Sequence, residues 1–357
     1  MLRDISLVIG CLSLVGAASR PGGTDPAEQF VWRGVWEWSM DHRTEAGLEE
    51  IADACQSLGF NVLMMSPPED LIGFMREQCH QRGIKLYRST VFSGGDETWR
   101  QVITPEEQDR AKQPFPETYQ HGGEPYTPDE LHKRLLPCWN RPEVREYFRK
   151  KVANFAGSPV DGLAFDGVGY TNYYRCYCPT CEGRLAESRE QHPGLSEQEA
   201  SAICAEQAMV EFINEMAETA RAVRPDIELT IHVYPYFRPH PYYGNRLDVD
   251  YVGQTVAWFF RPHWPLEKVG RLADEIVGTQ AAHWPEHHAA PFIGFNSRPA
   301  RDVRSPKRVQ AEIDLVRASG ASAIQFAELG QMARRPTVAR VVATALGGTM
   351  PPARAEE

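Results

Sequence analysis

The sequence has no excess of basic residues. Its 38 Lys and Arg stand against 48 Asp and Glu, for a formal net charge of −10 and a pI near 5.6. That balance speaks against a nucleic acid as partner, since such binding draws on released counterions and a basic face. No apolar run reaches the roughly 20 residues a membrane-spanning helix needs. No stretch repeats at a fixed period and none is low in complexity, which removes solenoids and fibrous folds. No glycine-rich phosphate loop follows the first strand pattern, so a dinucleotide-binding open sheet is the weaker alternative. The first strand pattern also lacks the two histidines, one residue apart, of metal-dependent barrel hydrolases; His42 is the nearest and lies beyond its end.

What is present begins with an export-like segment. Arg3 precedes the apolar run Ile5 to Ser19, and Gly16-Ala17-Ala18 places small residues where a signal peptidase cuts. Residues 1–18 therefore read as a signal peptide and 19–28 as a linker, with a lipid attachment at Cys11 as a lesser option. Export, periplasmic or secreted, would put the chain where disulfides form.

From residue 29 to 350, short apolar strands alternate with helical patterns. The strands read as Val31 to Ser39, Asn61 to Pro67, Ile84 to Val91, Gly162 to Val168, Ile227 to Pro235, Val249 to Trp258, Pro291 to Pro299 and Ser322 to Gly330. A long polar insertion, from about Ser93 to Leu131, follows the third, and 351–357 is a tail. Eight strands alternating with helices predict a single-domain (β/α)8 TIM barrel.

That fold fixes where function lies, because its active sites form at the C-terminal ends of the strands. The polar residues there are Glu37, Arg88, Asp166, His232, Tyr234, Gln254, Asn296, Arg298 and Glu328. Aromatic residues crowd the same ends: Trp36, Trp38, Tyr170, Tyr173, Tyr174, Tyr234, Tyr236 and Trp258. Rings that stack on sugar C–H faces and planar groups that bind hydroxyls fit a carbohydrate, and Arg88 or Arg298 fits a uronate carboxylate. About half of these aromatics could equally be core. Asp166 is followed by a glycine that turns the chain away from the carboxylate. Asp161, five residues earlier, belongs to the opposite, inactive face.

The segments PCWNRPEVREYFRKKVANF (137–155), VDGLAFDGV (160–168) and CYCPTC (176–181) resemble a group of glycoside-hydrolase-like barrel proteins. There a Pro-Glu-Val-Arg helix precedes an Asp-Gly strand ending in Asp, and a Cys-x-Cys-x-x-Cys loop follows. The strand is also similar to the fourth strand of α-galactosidase- and α-fucosidase-type barrels, whose terminal aspartate is the nucleophile. The resemblance implies glycoside hydrolysis by two carboxylates, with Asp166 as nucleophile. In the α-galactosidase type the acid lies after the sixth strand, but here that strand ends QTVAW (254–258) with no carboxylate. Glu328 is then the preferred acid and Glu37 the next candidate. No cofactor is expected for catalysis. A catalytically inactive glycan-binding barrel is the first alternative, and a metal-dependent hydrolase the second.

Cys176, Cys178 and Cys181 lie in the loop after the fourth strand, with Cys138 shortly before the helix that leads into it. Four thiolates make a closed structural zinc site, and a disulfide involving Cys138 competes with it. Cys55, Cys79 and Cys204 fall in helical patterns and read as buried free thiols. His283, His287 and His288 read as surface residues near the inactive face.

Overall fold

A computed structural model describes residues 29–104, 136–171, 175–234, 243–258, 263–295 and 304–349. The strands are β1 (Trp32–Trp36), β2 (Val62–Met65), β3 (Lys85–Val91), β4 (Gly162–Asp166), β5 (Glu228–Val233) and β6 (Tyr251–Ala257). The seventh, β7, comes in two pieces (His288–Ala289 and Phe292–Gly294), and β8 is Ala323–Ala327. Each is parallel to its neighbours, and β8 pairs with β1 in the register Trp36↔Ala327, which closes the ring. The chain is an eight-stranded parallel (β/α)8 barrel, as the alternation of patterns predicts.

Most expected strands run one to three residues too long at one end or both, because apolar residues continue into the turns. The seventh differs most, since the described strand stops at Gly294. The eighth ends at Ala327 instead of Gly330, and Glu328 stands as N-cap of a short helix.

The helices are α1 (Glu45–Ser57), α2 (Ile72–Gln81), α3 (Pro142–Ala156), α4 (Pro179–Gln191), α5 (Glu197–Val223), α6 (Leu266–His283), α7 (Pro306–Ala318), α8 (Leu329–Ala333) and α9 (Pro336–Leu346). Their starts carry local signals. Thr44 accepts the Gly47 N–H, Ser196 and Glu199 form a reciprocal capping box, and Pro142 occupies the first turn of α3.

Alternation along the strands divides the core into two. Trp32, Trp36, Val62, Met64, Tyr87, Ala164, Phe292, Ala323 and Ala327 fill the barrel. Val35, Leu63, Leu86, Leu163, Ile231, Val252 and Phe326 face the helices. Space inside is tight: a Cβ on Gly34 would lie 2.2 Å from the Trp32 ring, and one on Gly253 2.0 Å from Gln325 Oε1. Behind β4, Phe92, Phe148 and Phe212 pack edge-to-face, with Trp139 tilted on Phe212 and Phe92 on Phe165 of the strand, which ties α3 and α5 to β4.

The N-terminal end of the barrel is plugged. Trp32 stacks on Tyr251 with centroids 4.5 Å apart, and Glu228 accepts from Lys85 at 2.7 Å and from the Tyr87 hydroxyl. Just outside, Asp161 accepts the Leu86 N–H at 2.8 Å and pairs with Arg76 and His80. Two of the three histidines differ from expectation. His287 is buried, stacked on Trp284, and His288 is half-buried in β7 against Tyr251. Only His283 is exposed. Cys55 and Cys79 are buried free thiols; Cys204 is half-buried.

Candidate active site and cysteine knot

At the C-terminal end of β4, Asp166 is buried but retains 7% exposure. Gly167 follows with φ 81°, a left-handed turn that sends the chain outward and leaves the carboxylate behind. His232 on β5 places Nδ1 3.3 Å from Asp166 Oδ1, and its Nε2 lies 2.9 Å from Thr255 Oγ1 on β6. The ring packs against two others, stacked on Phe292 at 4.0 Å and tilted on Tyr234 at 4.5 Å. Tyr234 meets Trp258 edge-on at 6.3 Å. Three neighbouring strands and β7 thus hold one aspartate in one orientation.

A second constellation lies where β1 meets β8. Glu328 is fully buried, and neither carboxyl oxygen has a hydrogen-bond partner among the described residues. Ser39 approaches without bonding geometry, and its own Oγ is equally unpartnered. Burial pushes the Glu328 carboxyl up to about 7; the Ser39 dipoles and the Arg334 charge pull the other way, while Glu37 adds to the rise. Glu37 itself accepts three backbone N–H groups, from Ser39, Met40 and Gly330.

β4 and β8 stand opposite each other in the ring, with three strands between them either way round. Asp166 and Glu328 therefore approach the mouth from opposite walls.

Of the other expected residues, Trp36 is sealed inside the barrel. Trp38 lies at the mouth with its ring 5.7 Å from that of Trp36, 41% exposed and open for stacking. Four placements correct the sequence reading. Arg88 points to the helix layer, where its guanidinium lies 3.5 Å over Phe155 of α3 and pairs with Glu69, so it does not line the barrel. Gln254 alternates with Val252 and Val256, both in the helix-side core, and shares their direction. Tyr170 gives its hydroxyl to the Ala205 carbonyl at 3.3 Å, beside the cysteines rather than at the mouth. Trp258 also belongs to the helix-side core, with its edge toward Tyr234. Asn296, Arg298, Tyr173, Tyr174 and Tyr236 lie outside the described residues, as do the proposed signal peptide, the linker, most of the insertion, and the tail. Thr255, Phe292 and Ser39 were missed. For the first two the signal was present, because both share the inward phase of His232.

The four expected cysteines come together. The sulfurs of Cys138, Cys176, Cys178 and Cys181 all lie within 4.8 Å of one another, buried and unbridged. Cys138 Sγ is 3.6 Å from that of Cys178 and 3.5 Å from that of Cys181. A zinc–sulfur bond of about 2.3 Å implies a tetrahedral S···S edge of about 3.8 Å, so the spacing fits a metal. Two donors already point at the sulfurs: Val102 N–H at 3.2 Å from Cys176 and Asn140 Nδ2 at 3.3 Å from Cys181. Contacts with Cys138 hold the Cys178 thiol well below its ordinary value. Around the knot, Gln101 bridges the carbonyls of Pro137 and Gly169, and Trp139 donates to Gly169 at 2.7 Å. The knot thereby anchors the loop that leaves Asp166.

Among solved structures, the fold is similar to the PgaB (BpsB) glycoside hydrolase domain from Bordetella bronchiseptica, with TM-score 0.56 and 13% identity over 91% of this chain and 100% of that one. It is similar to a β-galactosidase from the Antarctic haloarchaeon Halorubrum lacusprofundi (TM-score 0.54, 14% identity, 83% of this chain and 52% of that one). It is also similar to the catalytic domain of a β-amylase from Paenibacillus polymyxa (TM-score 0.52, 9% identity, 91% and 100%). The chain shares the (β/α)8 barrel fold of these structures. It spans just over half the length of the β-galactosidases it matches. No protein family and no curated protein matches its sequence.

Proposed function

We propose that the chain is an exported glycoside hydrolase, with Glu328 as general acid and Asp166 as nucleophile or base. One observation carries the reading. Glu328 is a carboxyl group whose pKa burial raises to about 7, at the active end of the barrel, with neither oxygen hydrogen-bonded among the described residues. A structural carboxyl satisfies its oxygens, and an orphaned one kept protonated near neutrality is suited to protonating a leaving oxygen. Asp166, held by His232 and partly exposed, is suited to attack or to activating water. Trp38 offers a stacking face for a sugar, and the similarity to glycoside hydrolase structures favours a carbohydrate substrate.

The test is hydrolysis of a panel of chromogenic glycosides by the wild type, Glu328→Gln and Asp166→Asn. Turnover lost in both variants supports the reading. A second reading, a catalytically inactive glycan-binding barrel, is favoured by the complete burial of Glu328. Sugar binding by calorimetry without hydrolysis of any glycoside would establish it.

The four cysteines fit a structural zinc rather than a catalytic one, because four thiolates leave no open coordination position. Residues 1–18 as a cleaved signal are tested by the mass of the mature protein from its native host.

A further inference from the structure

Glu37 is the third carboxyl group at the strand ends, and its bonding sets it apart. It lies one residue past β1 and is 5% exposed. Oε1 accepts from the N–H groups of Ser39 at 2.5 Å and Met40 at 2.6 Å, while Oε2 accepts from Gly330 at 2.8 Å. Ser39 and Met40 belong to the loop leaving β1, and Gly330 to the first turn of α8, which follows β8 directly. Strand pairing already puts the two side by side, Trp36 opposite Ala327. A second stitch runs from Arg334 Nη2 to the Ser39 carbonyl at 3.4 Å. The seam is closed so tightly that a Cβ on Gly330 would meet Ser39 Oγ at 2.6 Å, Met40 Cγ at 2.9 Å and Glu328 Oε1 at 3.4 Å.

Glu328 hangs inside that seam. We propose that Glu37 is a positioning residue, which clamps the turn between β8 and α8 so that the Glu328 carboxyl is held unbonded at a fixed place. A carboxylate accepting three backbone donors has little capacity left for substrate, which separates Glu37 from the catalytic pair. The clamp also has an electrostatic side. The groups facing Glu328 are Glu37 from the end of β1, Ser39 from the following loop and Arg334 from the end of α8, with the Cys55 thiol of α1 behind Glu37. The Glu37 charge disfavours a second charge on Glu328 and helps keep its proton in place. The kinetic consequence rests on the hydrolase reading, whereas the clamp itself does not.

The experiment compares wild type with Glu37→Gln, which keeps the size of the side chain and removes one acceptor and the charge. The first readout needs no substrate. The C=O stretch of protonated Glu328 in infrared difference spectra, assigned by its loss in Glu328→Gln, should titrate at lower pH in Glu37→Gln. The second is turnover: kcat should fall roughly 100-fold with KM little changed, the cost of a misplacement of about 1 Å. Gly330→Ala presses on the same seam without touching the charge and should lower kcat as well. It decides the matter if Glu37→Gln does not fold. A Glu328 titration and a kcat both unmoved in a folded variant overturn the proposal. A wild type that hydrolyses nothing overturns the hydrolase reading instead and leaves the infrared titration to decide the clamp.

Discussion

His232 and Asp166 are joined across adjacent strands, Nδ1 to Oδ1 at 3.3 Å, and the opposite nitrogen of the same ring rests on Thr255 Oγ1. With both nitrogens engaged and two rings packed on it, the imidazole is held in place. Asp166 therefore has one oxygen fixed and one left for the mouth.

Asp166→Asn should abolish turnover, by at least about 1000-fold, while preserving sugar binding, because the amide keeps the shape and loses nucleophilicity. Steady-state kinetics and calorimetry on the same protein check this. Retained turnover in Asp166→Asn would remove Asp166 from the chemistry.

Thr255→Val should act more mildly. It removes the support of His232 Nε2 and leaves a buried ring nitrogen without that partner, a change worth about 1–3 kcal/mol of stability. The expected result is a lower melting temperature with kcat reduced less than in Asp166→Asn. Unchanged melting would mean that His232 finds another partner for Nε2.

Most of the barrel was legible because its signals are local. Alternation marks the strands, and capping residues such as Thr44 and Ser196 mark the helix starts. Three of the cysteines were legible by their spacing, and Cys138 by its place just before the helix that leads into β4. The direction of a side chain on a buried strand was not, since parallel strands are apolar on both faces and period two disappears. Arg88 and Gln254 were misplaced for that reason: one residue of phase sends a side chain to the helix layer. Glu328 was found as a polar residue in an apolar strand, but its lack of a donor among the described residues is set where Glu37 and Gly330 of α8, 293 residues apart in sequence, meet.

Glu328 also predicts how stability depends on pH. Its folded value of about 7 lies above the ordinary 4.5, so between those values the folded chain binds the extra proton. Stability contributed by this site is therefore present below about pH 4.5, declines as pH rises toward 7 and stays lost above that. At about 1.4 kcal/mol per pKa unit, the penalty at pH 8 is on the order of 3 kcal/mol. Glu328→Gln is always neutral and should be more stable than wild type at pH 8, with the difference vanishing near pH 4.5. Urea unfolding at both pH values checks this. A difference that does not change with pH would show that Glu328 titrates normally.

A chain beginning at Glu28 should fold with native strand and helix content. Gln29 donates to the Arg317 carbonyl at 2.7 Å and Phe30 is fully buried, so the barrel needs the chain from there on. Circular dichroism and melting of the shortened chain against full length provide the check. Loss of cooperative melting would mean that earlier residues belong to the barrel.

The cysteine knot should be a zinc site whose loss weakens the fold and not the chemistry. Cys138 precedes α3, and Cys176, Cys178 and Cys181 follow β4, so one ion would cross-link both sides of the strand that carries Asp166. Its binding free energy would count as folding free energy, because the four sulfurs converge only in the folded chain. Purified wild type should contain about one zinc per chain by elemental analysis. Cys178→Ser removes one ligand and should lower both zinc content and melting temperature, by on the order of 10 °C for a loss of several kcal/mol. The folded fraction should keep its activity, since Cys178 bonds to neither constellation at the barrel mouth. The competing disulfide gives a different signature: no zinc, and fewer than eight titratable thiols in the unfolded full-length chain. Activity lost at unchanged melting would contradict a purely structural knot and make the knot part of the site that begins at Asp166.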